Sequence, residues 1–234
     1  MRGRGENQFR RLPGFAAKLY DRLTRARAFE VQLREIARDL ASRIDQGRLL
    51  DIGTGPGRML LEIHRLKPDL ELFGIDIADS MVRQARRNLT GIRVDLRPGS
   101  IRHTDFESDF FDLVTCTGSF YLWNYPGECL EEVFRILKQG RSAYFFETYQ
   151  DFDAAEFREA LRANLRQESL LRRLISPLFL KKHLKMTYQT DAVAEIVKQS
   201  SFANSYSLEK IALAGLPIWL RVKLTKNLSR KGTI

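Results

Sequence analysis

The stretch Asp51-Ile52-Gly53-Thr54-Gly55-Pro56-Gly57-Arg58 carries the densest chemistry in the chain. It follows the apolar pair Leu49-Leu50 and precedes a helical pattern, so its alternating glycines form a strand–turn–helix loop. Such a loop lets a ligand approach the backbone beside the exposed N–H groups of a helix start. Asp76 ends the next apolar run, where a carboxylate can accept hydrogen bonds from both hydroxyls of a ribose. A tight turn and a helix-capping acid could each occur for structural reasons alone; their joint occurrence favours a ligand. The dinucleotide fingerprint Gly-x-Gly-x-x-Gly needs its third glycine where Arg58 stands, which disfavours nicotinamide or flavin. Tyr121, in the segment Thr115–Trp123, is a candidate substrate-contacting or proton-handling group, or else an aromatic cleft wall. Cys116 and Cys129 read as a buried strand residue and a helix residue. His64, His103 and His183 are scattered and read as surface or loop residues, with His103 near the predicted cleft edge. No HExxH and no clustered Cys/His is present, so no metal site is expected.

These residues need elements to position them. Phe29, Leu33, Ile36, Ala37, Leu40 and Ile44 recur at helical spacing over roughly 27–45. Strands follow at RLLDIG, LELFGID, IRVDLRP, FFDLVTC and RSAYFFET, alternating with helical patterns. Asp79 is the expected N-cap of one helix, and Leu130, Val133, Phe134 and Leu137 share a face of another. SYSLEKIAL and IWLRVKLTK read as two final strands joined at Gly215-Leu216-Pro217. The alternation predicts an α/β, doubly wound, Rossmann-like seven-stranded sheet, mainly parallel with a C-terminal antiparallel hairpin. Four parts are expected: an N-terminal basic helical segment (1–45), a core (46–150), a helical cap insertion (151–189), and a final helix and hairpin (190–234). The insertion is too long for an ordinary connection and reads as a lid.

In that order of motifs, residues 45–150 resemble class I S-adenosylmethionine-dependent methyltransferases. The family's first motif is similar to Asp51–Gly57, whose loop lies under the methionine part of the cofactor. Its ribose-binding acid matches Asp76, with Ile77 beside the adenine. Asp109-Phe110-Phe111-Asp112-Leu113-Val114 is similar to the strand-four signature, and Leu137-Lys138-Gln139-Gly140 to the turn before strand five, with Gln139 and Arg141 departing from it. The resemblance implies S-adenosyl-L-methionine as cofactor and S-adenosyl-L-homocysteine as product. It implies a cofactor site of Asp51, Gly53, Thr54, Gly55, Gly57, Asp76, Ile77, Met81, Gly99, Ser100, Ile101, Thr117 and Gly118. The family often carries Gly-Asp after strand three, where the acid binds the adenine amino group. Here Gly99-Ser100-Ile101 stands instead, so Ser100 or a backbone group is expected to hold the adenine, with Ile101 against its face. Tyr20-Asp21 resembles a pair common before the first helix in quinone-biosynthesis and phospholipid N-methyltransferase relatives, giving Tyr20 either a catalytic or a packing role.

The post-strand-four segment lacks the Asn/Asp-Pro-Pro-aromatic sequence of amino-group methyltransferases acting on adenine or glutamine, and the Pro-Cys of cytosine-C5 enzymes. The expectation is methyl transfer to a small-molecule or lipid-like acceptor under the cap. The alternatives are a tRNA or rRNA methyltransferase, or a non-catalytic binding protein, which the absent acid at Ser100 keeps open.

The 234 residues carry 39 Lys+Arg against 29 Asp+Glu, a formal net charge of +10. Residues 1–27 and 162–185 each hold a local +6, and the tail from Arg221 a further +5, so the rest of the chain is acidic. In 169–180 apolar residues interleave with the basic ones, which suits closure over a pocket, pairing in a homodimer, or peripheral contact with an anionic membrane surface. Nucleic acid also selects basic surface, but no appended RNA-binding module is recognised. Two cysteines exclude a disulfide scaffold and suit a cytoplasmic protein. No apolar run reaches the ~18 residues of a spanning helix, and no apolar signal-peptide core follows the basic N-terminus.

Overall fold

The computed structural model describes residues 13–23, 27–166, 180 and 183–227. Five strands, β1 (Arg48–Ile52), β2 (Glu71–Asp76), β3 (Val94–Pro98), β4 (Phe111–Thr117) and β5 (Leu137–Thr148), run parallel. β6 (Tyr206–Leu213) and β7 (Leu216–Thr225) form a hairpin, and β7 inserts antiparallel beside β5. The sheet order is β3-β2-β1-β4-β5-β7-β6. Successive side chains of a strand point to opposite faces. Leu49, Leu113 and Phe146 therefore enter one core, while their neighbours Leu50, Val114 and Phe145 enter the other. Both faces are covered, which is why these strands read as continuous apolar runs rather than alternating ones.

Helices α2 (Arg27–Ala41), α3 (Arg58–Leu66) and α4 (Asp79–Asn88) cover the first face. They insert Ile36, Leu40, Leu60, Ile63, Val82 and Ala85, all nearly fully buried. Each buried leucine or isoleucine contributes ~1.5–3 kcal/mol. α5 (Pro126–Ile136) and α7 (Thr190–Lys198) cover the other face through Leu130, Val133, Ile136, Val193 and Val197. At one edge of that core Phe73, Phe106, Phe110 and Phe111 meet mostly edge-on, with centroids 4.8–5.9 Å apart.

Three local expectations need correction. Ala78, not Asp79, is the N-cap of α4, because the Asp76 carboxylate already takes the Ala78 N–H at 2.9 Å. Asp79 becomes an acid in the first helical turn, favourable to the helix dipole. Leu137 fits the helical period but is the first residue of β5, paired with Phe111 of β4. The final hairpin turns at Ala214-Gly215, both with positive φ (48° and 73°), the mark of a two-residue type I′ turn. Leu216 and Pro217 already belong to β7.

The two signatures flanking α5 are joined physically. Asp112 accepts from Lys138 Nζ at 2.8 Å and from Arg48 N at 3.0 Å. Although its burial opposes ionisation, these contacts hold its pKa below the ordinary range.

α1 (Gly14–Leu23) packs Ala17 against Ala78 and Met81, bringing the N-terminal helix to the carboxyl end of β2. Of the stretch 151–189, α6 (Ala154–Leu165) lies on the hairpin, with Phe157 and Leu161 against the first core and Asn164 Nδ2 donating to Ala214 O at 3.0 Å. The turn 183–188 is tied to the end of β5. The basic residues Arg2, Arg4, Arg10, Arg11, Arg172, Arg173, Lys181, Lys182, Arg230 and Lys231, and the apolar residues Leu170–Phe179, lie outside the described residues.

Candidate active site

At the carboxyl ends of β1, β2 and β4 lies an open cleft. Gly53 and Thr54 turn back after β1, both donating N–H bonds to Ile75 O at 2.9 and 3.0 Å. Gly53 has φ 68°, and a Cβ on it would collide with the Ser119 hydroxyl. Only glycine therefore fits between strand end and the loop after β4. Asp76 lines the cleft, and its two oxygens each accept one backbone N–H, from Gly55 at 2.8 Å and Ala78 at 2.9 Å. Each oxygen retains acceptor capacity for a ligand hydroxyl. Burial raises the pKa of Asp76, and those two N–H groups oppose the rise. A smaller compartment adjoins, sharing Tyr20, Gly53, Gly55 and Thr117 with the cleft and adding Asp51, Thr54 and Arg58. Burial pushes Asp51 up to about 7, with the Asp76 charge adding to it.

The far wall is the loop after β4. Glu147, near the end of β5, is buried and holds that loop: its Oε1 accepts from Ser119 N at 2.8 Å and Phe120 N at 2.7 Å. Burial pushes Glu147 up to about 8 against those two N–H groups, so it carries a proton at neutral pH. Its Oε2 and the Thr117 hydroxyl are buried without a hydrogen-bond partner among the described residues. Tyr121 lines the cleft, and its hydroxyl lies 3.4 Å from His183 Nδ1. Tyr20 enters from α1. Its side chain is half exposed, but its hydroxyl end faces inward, where burial and then the Asp76 and Glu147 charges raise its pKa. The adjacent Asp21 is buried, accepting from Asn88 Nδ2 at 3.1 Å.

A family model described as "Methyltransferase domain" matches residues 49–140, the segment that builds most of this cleft. Residues 49–140 are thus a methyltransferase domain, and the sheet has the fold of class I S-adenosylmethionine-dependent methyltransferases. It is 28% identical over 107 residues to the uncharacterized methyltransferase YdaC of Bacillus subtilis, covering 46% of this chain and 59% of that one. It is 32% identical over 128 residues to the demethylmenaquinone methyltransferase of Thermus thermophilus, covering 53% and 58%. The chain thus spans under two thirds of those relatives' lengths. The plantazolicin methyltransferase BpumL, solved with S-adenosylhomocysteine, shares the fold at a TM-score of 0.66 and 16% identity, covering 95% of this chain and 94% of that one.

The methyltransferase cofactor fits what is present. Asp76 offers spare lone pairs at the strand end, Thr117 offers an unpartnered hydroxyl, and a Cβ on Gly99 or Gly118 would meet nothing within 4 Å. The fold brings Tyr20, Gly53, Gly55, Asp76, Ile77, Met81, Gly99, Ser100, Ile101, Thr117, Gly118 and Tyr121 to the same cleft. Asp51 and Thr54 stand in the adjoining compartment. Gly57 is the N-cap of α3. A Cβ there would sit 2.8 Å from Leu89 and 3.1 Å from Ala85, so this glycine packs the loop onto α4. No acid replaces the family's adenine-binding residue at Ser100, whose hydroxyl accepts from Arg102 N at 3.3 Å. His103 leaves the cleft edge for a separate shallow pocket with Glu132 and Arg135.

Sequence reasoning missed Ser119, Glu147 and His183. Glu147 carried a usable signal, an acid at the carboxyl end of the apolar run Tyr144-Phe145-Phe146, where sheets of this type bind ligands. His183 carried none. Among the described residues no three His, Cys, Asp or Glu side chains gather as metal ligands, and no helix is long and apolar enough to cross a membrane.

Proposed function

We propose that the protein transfers a methyl group from S-adenosylmethionine to a small-molecule or lipid-like acceptor that enters the cleft beside Gly118 and Tyr121. The observation carrying this reading is the half-buried Asp76 carboxylate, held by Gly55 N and Ala78 N at the mouth of the glycine loop. When bound, the cofactor supplies a methyl on a positively charged sulfur. Asp76 accepts the ribose hydroxyls, Ile77 and Ile101 hold the adenine between apolar surfaces, and Ser100 or a neighbouring backbone group meets its edge. Thr117 and Gly118 line the passage between the methionine end and the acceptor. Tyr20, Tyr121, Leu122 and Trp123 form an aromatic and apolar wall on the acceptor side that excludes water and fixes the line of attack.

Calorimetry with S-adenosylmethionine tests the first step: micromolar binding that Asp76→Ala weakens at least tenfold supports it, and no binding by the wild type sinks it. S-adenosylhomocysteine release across a panel of phenols, quinols, amines and fatty acids then identifies the acceptor. The exposed Phe15, Leu19 and Met186 beside Lys18 and Lys185 support peripheral contact with an anionic membrane surface. Co-sedimentation with phosphatidylglycerol vesicles across a salt series tests that placement, and equal recovery with neutral vesicles would remove it.

A further inference from the structure

His183 is not a surface histidine. Its imidazole lies between two hydroxyls, with Nδ1 3.4 Å from Tyr121 Oη and Nε2 2.9 Å from Thr148 Oγ1. The Tyr121 and His183 rings meet edge to face, with centroids 5.2 Å apart. The turn carrying His183 is pinned at several points. Gln150 Nε2 donates to Thr187 O at 2.5 Å and to Lys185 O at 3.2 Å, Tyr149 bridges to Tyr188, and Leu184 is buried. Thr148 is the last residue of β5 and is itself buried. A histidine held this firmly between a cleft-lining phenol and a buried hydroxyl has one nitrogen for each.

We propose that Tyr121, His183 and Thr148 form a proton relay opening into the cleft, and that the methyl acceptor is therefore a group that sheds a proton, such as a hydroxyl. The inference rests on the methyl-transfer reading above. In the neutral protein Tyr121 donates its hydroxyl proton to His183 Nδ1, and His183 donates Nε2–H to Thr148 Oγ1. As an acceptor X–H forms its bond to the methyl carbon, the carbon–sulfur bond breaks with its electron pair left on sulfur. The X proton passes to the Tyr121 oxygen while the Tyr121 proton passes to His183 Nδ1. The resulting imidazolium returns its proton to solvent after product leaves.

The electrostatics suit a hand-over rather than a phenolate base. Among the described residues, the titratable groups facing Tyr121 are His183, Glu147 and Tyr20. Burial, then the charges of Glu147 and Tyr20, hold the Tyr121 proton on well above the ordinary phenol range. Burial lowers the pKa of His183, leaving it neutral and able to accept. Tyr121 is the catalytic residue of this scheme, and His183 is a positioning residue that acts through it.

Imidazole ¹⁵N NMR of the full chain saturated with S-adenosylhomocysteine, from pH 5 to 9, reads the relay without turnover. The chain has three histidines, so His183→Gln assigns the signal. The expected result is a neutral Nε2–H tautomer at pH 7 that titrates below the ordinary imidazole range, with an Nδ1 signal that moves in Tyr121→Phe. An Nδ1–H tautomer, a charged ring at pH 7, or an Nδ1 signal indifferent to Tyr121→Phe would overturn the relay. With a panel compound that is methylated, Tyr121→Phe is expected to slow kcat by roughly 10²–10⁴. His183→Gln is expected to lower kcat at least tenfold, to keep KM within about twofold, and to erase the acid limb of the pH profile. Should either variant fold poorly, the other carries the test. Failure to bind S-adenosylmethionine strikes the methyl-transfer reading, whereas binding with wild-type kcat in both variants strikes the relay alone.

Discussion

Glu147→Gln offers a sharp test of the electrostatics. The wild-type side chain sits at about 8 in the folded protein against the ordinary 4.5 of a glutamate. The folded state therefore binds the proton more tightly than the unfolded state, and its contribution to stability is complete below pH 4.5 and is lost as pH rises through 8. At ~1.4 kcal/mol per pH unit, the loss across that window is on the order of 5 kcal/mol. Glutamine keeps an oxygen for the N–H groups of Ser119 and Phe120 but does not titrate. Urea unfolding of wild type and variant at pH 5, 6, 7 and 8 isolates the effect, because Asp51, which is raised to about 7, titrates in both and cancels. The stability of the variant relative to wild type is expected to climb by ~1.4 kcal/mol per pH unit, roughly 4 kcal/mol over the series. Parallel curves would refute a buried, protonated Glu147 and with it the account of how the loop after β4 is held.

Three further outcomes follow from packing and hydrogen bonding. Gly53→Ala forces a Cβ into the Ser119 hydroxyl at a left-handed φ; it is expected to cost ~2 kcal/mol or more in urea unfolding and to weaken cofactor binding in calorimetry. Phe111→Ala removes a fully buried ring from the four-phenylalanine cluster, and chemical denaturation is expected to show a loss of ~3–5 kcal/mol. Ser100→Ala is expected to lower S-adenosylmethionine affinity by the ~0.5–1.5 kcal/mol of one hydrogen bond, a few-fold change. Unchanged affinity would transfer the adenine edge to a backbone group.

What was legible in the sequence was local. Apolar runs ending in Gly53, Asp76 and Thr117 declare themselves because strand and loop chemistry lie within a few residues of each other. Leu137 misleads because helical period and strand pairing both suit a leucine, and only the partner Phe111, distant in sequence, decides between them. Asp79 misleads because the acid that serves the Ala78 N–H arrives from a strand end just before it. Gly57 stands in a ligand loop yet is fixed by Leu89 and Ala85 on the next helix, a contact no local pattern encodes. His183 was illegible for the same reason. Its partners Tyr121 and Thr148 come from two other elements, and the turn that carries it has no periodicity of its own.

The position of β7 between β5 and β6 has a consequence for the order in which the molecule can be made. A ribosome releases β5 long before Leu216 emerges, and until then the strand bearing Tyr144, Phe145 and Phe146 has an open edge beyond β4. β6 emerges first but cannot close that edge, because in the finished sheet it touches only β7. The hairpin turn at Ala214-Gly215 therefore acts as the closing step of the sheet, swinging β7 into a gap that β6 leaves unfilled. A nascent chain stalled before Leu216 holds its cofactor loop complete and its sheet unsealed, which makes it a natural client for whatever shields exposed strands at the tunnel mouth.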